Sequence, residues 1–298
     1  MDLMDSNHPD CPVQCLRFDP TGSFLIVGDS LSAIHFLHVE SGTVMFSEKL
    51  SFSSEAVPIT QIMFQRFQDS NDLFIVFGST LAVHLSQVDT KELDVAFRCQ
   101  NMARLGELKK AVQTELVKFD QFSTHFDDSE ERAIFDYILP ISHSTHRRMI
   151  LASRTGKFLL IEKSDFSEGW EVLDSLELGQ QQDDHILKID ASSDGRFIYA
   201  LVSSGRVAVL NTDPLFKLWS LDENSSVKDL RLLELPSHEA VVALITDSDR
   251  GNVLKLIDLP TGEVLCRVDL PSAEARIISG LDGSGKLITA FGVQSKTG

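Results

Sequence analysis

Three short stretches hold residue types that could do chemistry. "GLDGSGKL", Gly280 to Leu287, comes within one position of a phosphate-binding loop. Such a loop needs glycines so that backbone N–H groups can approach phosphate, a lysine for charge, then a Ser or Thr hydroxyl for magnesium. Leu287 stands where that hydroxyl belongs. "KLITAF" also reads as a strand, whereas the phosphate would face the start of a helix. A tight turn between strands is expected there. "HSTH", His143 to His146, places two imidazoles across one turn. A metal needs a third ligand held nearby; none is evident, so an exposed loop is expected. The four cysteines are Cys11, Cys15, Cys99 and Cys266. Only the first two are close, with no second Cys or His pair at zinc spacing, so free thiols in a reducing compartment are expected.

His35 and His38 lie in and beside an apolar run, Ala33 to Val39. Under period two His35 shares a face with Leu37 and Val39 while His38 points the other way, and both are expected to be structural. No G-x-S-x-G elbow presents a nucleophile, and no carboxylate pair has a distinctive local setting. The reading is of no catalytic, metal or cofactor site.

The elements that carry these residues repeat. The first unit, residues 13–50, parses as strand, Asp-Pro-Thr-Gly turn, strand, short turn, strand, Ser-Gly turn, strand. The same grammar returns at 59–89, 132–178, 186–221 and 227–270, and begins again at 275–292. Its clearest matches are "DPTGSFLIV", "SSDGRFIYAL" and "LDGSGKLITAF". A unit of roughly 40 residues with four strands is the signature of a propeller blade. One four-stranded sheet cannot bury both faces alone, so blades stack. The middle strands are covered on both sides and read as continuous apolar runs. Phe24 to Val27, Phe74 to Phe77 and Val241 to Ile245 are therefore expected core. The fold class expected is an all-β, WD-repeat-like β-propeller of divergent blades, incomplete at both ends. The Trp-Asp pair of WD-repeats is absent from the strand ends, so the usual His-Ser-Trp-Asp network is not expected.

One segment, residues 91–122, breaks the pattern. Met102, Leu105, Leu108, Val112, Leu116 and Phe119 recur at three and four, as on one helix face. Asn101 is placed to cap its start. This helical insertion either packs its stripe on the propeller as a connector or helps build a partner surface. Leu105, Lys109, Lys110 and Gln113 are the candidate contact residues on the second reading.

Composition limits the partners. The chain has 298 residues and a formal net charge of −17. Nucleic acid and anionic membrane both need clustered Lys and Arg, so neither is an expected partner. No run approaches the roughly 18 apolar residues of a membrane span, and the N-terminus lacks a signal-peptide pattern.

Taken in order, the segments resemble the Rod (Rough deal) family, the large kinetochore-associated subunit of the RZZ complex. Gly22, Phe24, Leu25, Val27, Gly28, His38 and Val39 fit the family's G-x-F-L-[LI]-V-G core and the apolar strand after it. "NMARLGELKKAVQTELVKFDQFSTHF" sits where Rod has a helix. "RVAVLNTDPLFKLWSL" and Asp258 to Leu265 match its late blades. No single motif is specific; the order of features is. The resemblance implies a non-enzymatic scaffold, with Zwilch, Zeste-white ten and Spindly as partners and dynein–dynactin recruited indirectly. It also implies a place in the cytoplasm and, in mitosis, at the kinetochore in the spindle assembly checkpoint. Rod continues upstream of this first blade and into a long α-solenoid, so a fragment or truncated product is expected. The alternatives are a vesicle-tethering or coat propeller of the NBAS type and, less favoured, a propeller hydrolase.

Overall fold

The computed structural model describes residues 12–50, 56–67, 70–78, 81–119, 121–122, 134–141, 146–163, 169–178, 184–192, 195–222, 227–234, 240–248, 251–270, 277–281 and 287–291. Its strands form sheets in which chain neighbours are bonded in turn. The first holds β1 (Val13–Phe18), β2 (Phe24–Asp29), β3 (Ala33–His38) and β4 (Thr43–Lys49). The second holds β5 (Ile59–Phe67), β6 (Ser70–Phe77), β7 (Leu81–Val88) and β8 (Gln113–Lys118). Two helices, α1 (Thr90–Arg98) and α2 (Met102–Ala111), interrupt it between β7 and β8. The third sheet is β9 (Phe135–Ile141), β10 (Arg147–Ser153), β11 (Lys157–Lys163) and β12 (Glu171–Glu177). The fourth is β13 (Ile186–Ala191), β14 (Phe197–Val202), β15 (Arg206–Thr212) and β16 (Leu215–Asp222). The fifth is β17 (Val227–Glu234), β18 (Ala240–Ser248), β19 (Gly251–Asp258) and β20 (Val264–Leu270). A pair, β21 (Ile277–Leu281) and β22 (Leu287–Phe291), follows. β22 contains the strand "LITAF" of the near-phosphate loop, whose turn residues 282–286 lie outside the described residues, as does His143.

The turns explain why the grammar repeats. The buried Asp19 carboxylate accepts the Phe24 N–H at 2.8 Å and the Thr21 N–H at 3.0 Å, closing the Asp-Pro-Thr-Gly turn before β2. In the matching turn before β14, the Ser192 hydroxyl accepts the Phe197 N–H at 3.0 Å. In each case a short polar side chain five residues ahead satisfies the first strand donor, buried at Phe24 and partly buried at Phe197.

Compactness divides the chain into two units. The first is Met1–Leu151 with Ile161–Val172; the second is Ala152–Leu160 with Leu173–Gly298. In the first unit Phe24, Ile26, Ile34 and Phe36 of the first sheet stack on Ile59, Ile62, Leu73, Ile75 and Val83 of the second. Backbones approach closely here: a Cβ on Gly28 would lie 2.6 Å from Ile59 Cγ2. In the second unit Tyr199, Leu201, Val207 and Val209 stack on Leu230, Val242, Leu244 and Ile257. The expected core runs are buried, except that Leu25 is half-buried.

Between the second and third sheets, within the first unit, lies a polar cluster that the absence of Trp-Asp pairs did not lead us to expect. His84 of β7 is 3% exposed and stacks on Phe74 with centroids 4.5 Å apart. Trp170 meets both rings edge-on. His84 Nε2 lies 3.0 Å from Asp72 Oδ2, and Arg147 Nε donates to the same oxygen at 2.7 Å. A His, an Asp and a Trp are thus brought together from positions that no WD-type spacing marks.

Candidate partner-binding surface

The structure divides the single expected helix. Asp89 caps α1, its carboxylate accepting the Glu92 N–H at 2.9 Å. α1 ends in a turn where the Asn101 N–H bonds to Ala96 O at 2.9 Å and the Gln100 N–H to Phe97 O at 3.0 Å. That is the paired closure of a helix C-terminus, and it puts Gln100 at φ +52. Asn101 caps α2 as expected, its side chain accepting the Arg104 N–H at 3.1 Å.

α2 stops at Ala111. Val112 is extended, and Gln113 to Lys118 pair with Ser86 to Leu81 of β7. The apolar stripe therefore does not lie on one helix. Met102, Leu105 and Leu108 belong to α2, Leu116 to a strand, and Phe119 is buried beyond it. A helix of about ten residues is marginal on its own, whereas a strand on the β7 edge gains a full ladder and closes that edge. The insertion is thus a two-helix hairpin within a four-stranded sheet.

Side chains anchor α1 to the first sheet. His38 holds Ser41 Oγ at 2.8 Å through Nδ1 and Asp94 Oδ1 at 3.0 Å through Nε2. Phe97 packs on the same imidazole, centroids 4.8 Å apart. Arg98 reaches Asp94 at 2.9 Å and Glu40 at 2.8 Å. Burial pushes the Asp94 carboxyl up, but the bonds from Arg98 and His38 outweigh it and hold it below the ordinary range. Thr90 and Ala96 are buried, while α2 has no buried residue.

The four candidate contact residues fall in different settings. Lys109 is exposed and leans toward the first sheet, its ammonium 3.7 Å from Glu48 and 4.4 Å above the Phe46 ring. Leu105 is half-buried. Lys110 is exposed at the end of α2, with no ion pair among the described residues. Gln113 is exposed on β8 opposite Ser86. Two further apolar side chains of the hairpin, neither among the four candidates, are exposed: Val95, 60%, and Met102, 75%. Met102 belongs to the apolar stripe read from the sequence, and Val95 lies outside that stripe.

Among the described residues no group of His, Cys, Asp or Glu is arranged to hold a metal. No helix of the described residues is long and apolar enough to cross a membrane.

Solved structures share the architecture. The chain is similar to BBS1N, crystallised in complex with ARL6DN, with TM-score 0.58 and 13% identity over 94% of this chain and 74% of that one. It is similar to the β-propeller domain of Cps50 (Swd1) from Myceliophteria thermophila, with TM-score 0.54 and 13% identity over 95% and 82%. It is also similar to a chain in the crystal structure of the mitotic checkpoint complex, with TM-score 0.54 and 12% identity over 96% and 73%. These likenesses establish a β-propeller fold. No curated protein matches the chain. The family described as KNTC1, N-terminal, matches residues 8–274, and the chain belongs to that family, the one the ordered blades resemble.

Proposed function

We propose that the chain is a non-enzymatic interaction scaffold of a kinetochore complex, and that the α1–α2 hairpin is one of its contact surfaces. The observation that carries the reading is membership of the KNTC1 N-terminal family across residues 8–274. The hairpin supports it locally. It is fastened to the first sheet through α1, yet α2 carries no buried residue and leaves Met102 and Lys110 outward. On this reading Zwilch, Zeste-white ten and Spindly are partners, dynein–dynactin is recruited through Spindly, and the site of action is the kinetochore during the spindle assembly checkpoint.

The test is binding of the purified chain to Zwilch and to Spindly. A Val95→Asp, Met102→Asp, Lys110→Glu triple variant is compared with the natural chain, and far-UV circular dichroism confirms that both are folded. Binding that the triple variant loses assigns the hairpin. Binding that it retains moves the contact elsewhere on the propeller. A folded chain that binds neither partner overturns the scaffold role.

A further inference from the structure

The cluster around His84 has a charge arrangement that packing alone does not require. Its two ring nitrogens face two different carboxylates. Nε2 lies 3.0 Å from Asp72 Oδ2 on β6, and Nδ1 lies 3.5 Å from Glu115 Oε2 on β8. A neutral imidazole has one N–H, so it would aim a lone pair at one of these oxygens; only the imidazolium can donate to both. The ring also stacks flat on Phe74, 7° from parallel.

The third sheet supplies the remaining partners. Arg147 of β10 donates to Asp72 Oδ2 at 2.7 Å. Lys163 of β11 donates to Glu115 Oε2. Arg148 and Glu162, next along the same strands, pair with each other at 2.5 Å. Asp72 is 0% exposed and its Oδ1 accepts no hydrogen bond among the described residues, so there its compensation comes through the one oxygen shared by His84 and Arg147.

We propose that His84 is a proton-operated clasp: as the imidazolium it bridges Asp72 and Glu115, and through them ties the second sheet to Arg147 and Lys163 of the third. Loss of the proton leaves a single N–H, so one of the two carboxylates faces a lone pair in place of a donor and that junction loosens. The direction of titration agrees. Burial pulls the imidazole down, but the bonds to Asp72 and Glu115 outweigh it and hold His84 above its ordinary value. A raised folded pKa gives stability that is complete below the unfolded value of about 6.5 and lost as pH rises through the folded value. Cys15, whose thiol burial pushes up to about 11, does not titrate in that window.

The test follows the His84 ring resonances of the full chain by NMR across neutral and alkaline pH, with thermal midpoints recorded at the same pH values. The expected result is a titration midpoint above about 6.5 and a thermal midpoint that falls as pH passes through it. Glu115→Gln keeps the side-chain size and removes one carboxylate. It should lower the His84 midpoint and flatten the fall. His84→Gln should abolish the fall; if that variant does not fold, the natural chain and Glu115→Gln decide. A natural His84 midpoint at or below about 6.5, or a fall unchanged in either variant, overturns the clasp.

Discussion

Gly262 offers a stability test in which one close contact can be separated from its backbone background. It sits in the turn between β19 and β20 at φ +76, and a Cβ there would lie 2.9 Å from both Cγ and Cδ2 of Trp219. Trp219 cannot easily retreat, because its indole N–H donates to Leu259 O at 2.7 Å. Gly22 is the matched control: φ is +73, but nothing lies within 4 Å of its added Cβ. Both Gly→Ala substitutions carry the same left-handed penalty, about 1 kcal/mol. Each gains a few tenths to about 1 kcal/mol from a stiffer unfolded chain. Gly262→Ala alone adds overpacking against the indole, about 1–3 kcal/mol. It should therefore be about 2 kcal/mol less stable than Gly22→Ala in urea unfolding followed by far-UV circular dichroism. In a Trp219→Ala background the excess should vanish. If Gly262→Ala and Gly22→Ala agree within about 0.5 kcal/mol, the ordinary error of additivity, the contact argument is refuted.

Asp19→Ala, which leaves the buried Phe24 N–H without its acceptor, should cost about 1–3 kcal/mol in the same unfolding assay. Gln100→Gly places the residue suited to φ > 0 at the C-terminal turn of α1 and should stabilise the hairpin by about 0.5–1 kcal/mol, seen as slower hydrogen exchange in α1. Asp94→Asn removes the charge that holds both His38 and Arg98. It should speed exchange in α1 severalfold while leaving the second unit's exchange unchanged. At the acid end, Asp72 and Glu115 both titrate below their ordinary values, so their contribution is present above about pH 4.5 and lost as pH falls through the folded values. Asp72→Asn should make the acid limb of the thermal profile shallower.

Family and fold were legible because their signals are local. The Asp-Pro-Thr-Gly and Ser-Ser-Asp-Gly turns each bond a side chain to a donor five residues on, so they recur as sequence and mark the second strand of the first and fourth sheets. Apolar runs such as Phe74 to Phe77 and Val241 to Ile245 announce strands covered on both faces. The Asn101 cap, too, acts within one helical turn.

The candidate surface was only partly legible, for a reason visible at Val112. Spacings of three and four continue from Met102 to Phe119, and nothing local stops the helix at Ala111. What stops it is the unpaired edge of β7, formed by residues about thirty positions earlier, which takes Gln113 to Lys118 as its partner strand. The same physics hid the ionic contacts. His38 finds Asp94 across 56 residues, Arg147 finds Asp72 across 75, and Lys163 finds Glu115 across 48. The sequence by itself determined most of the strands and the turns between them, since each depends on a few contiguous residues and the period of the pleat. Only the tertiary structure decided which charges are buried together and how the hairpin is fastened, because those pairings depend on how one sheet stacks against the next.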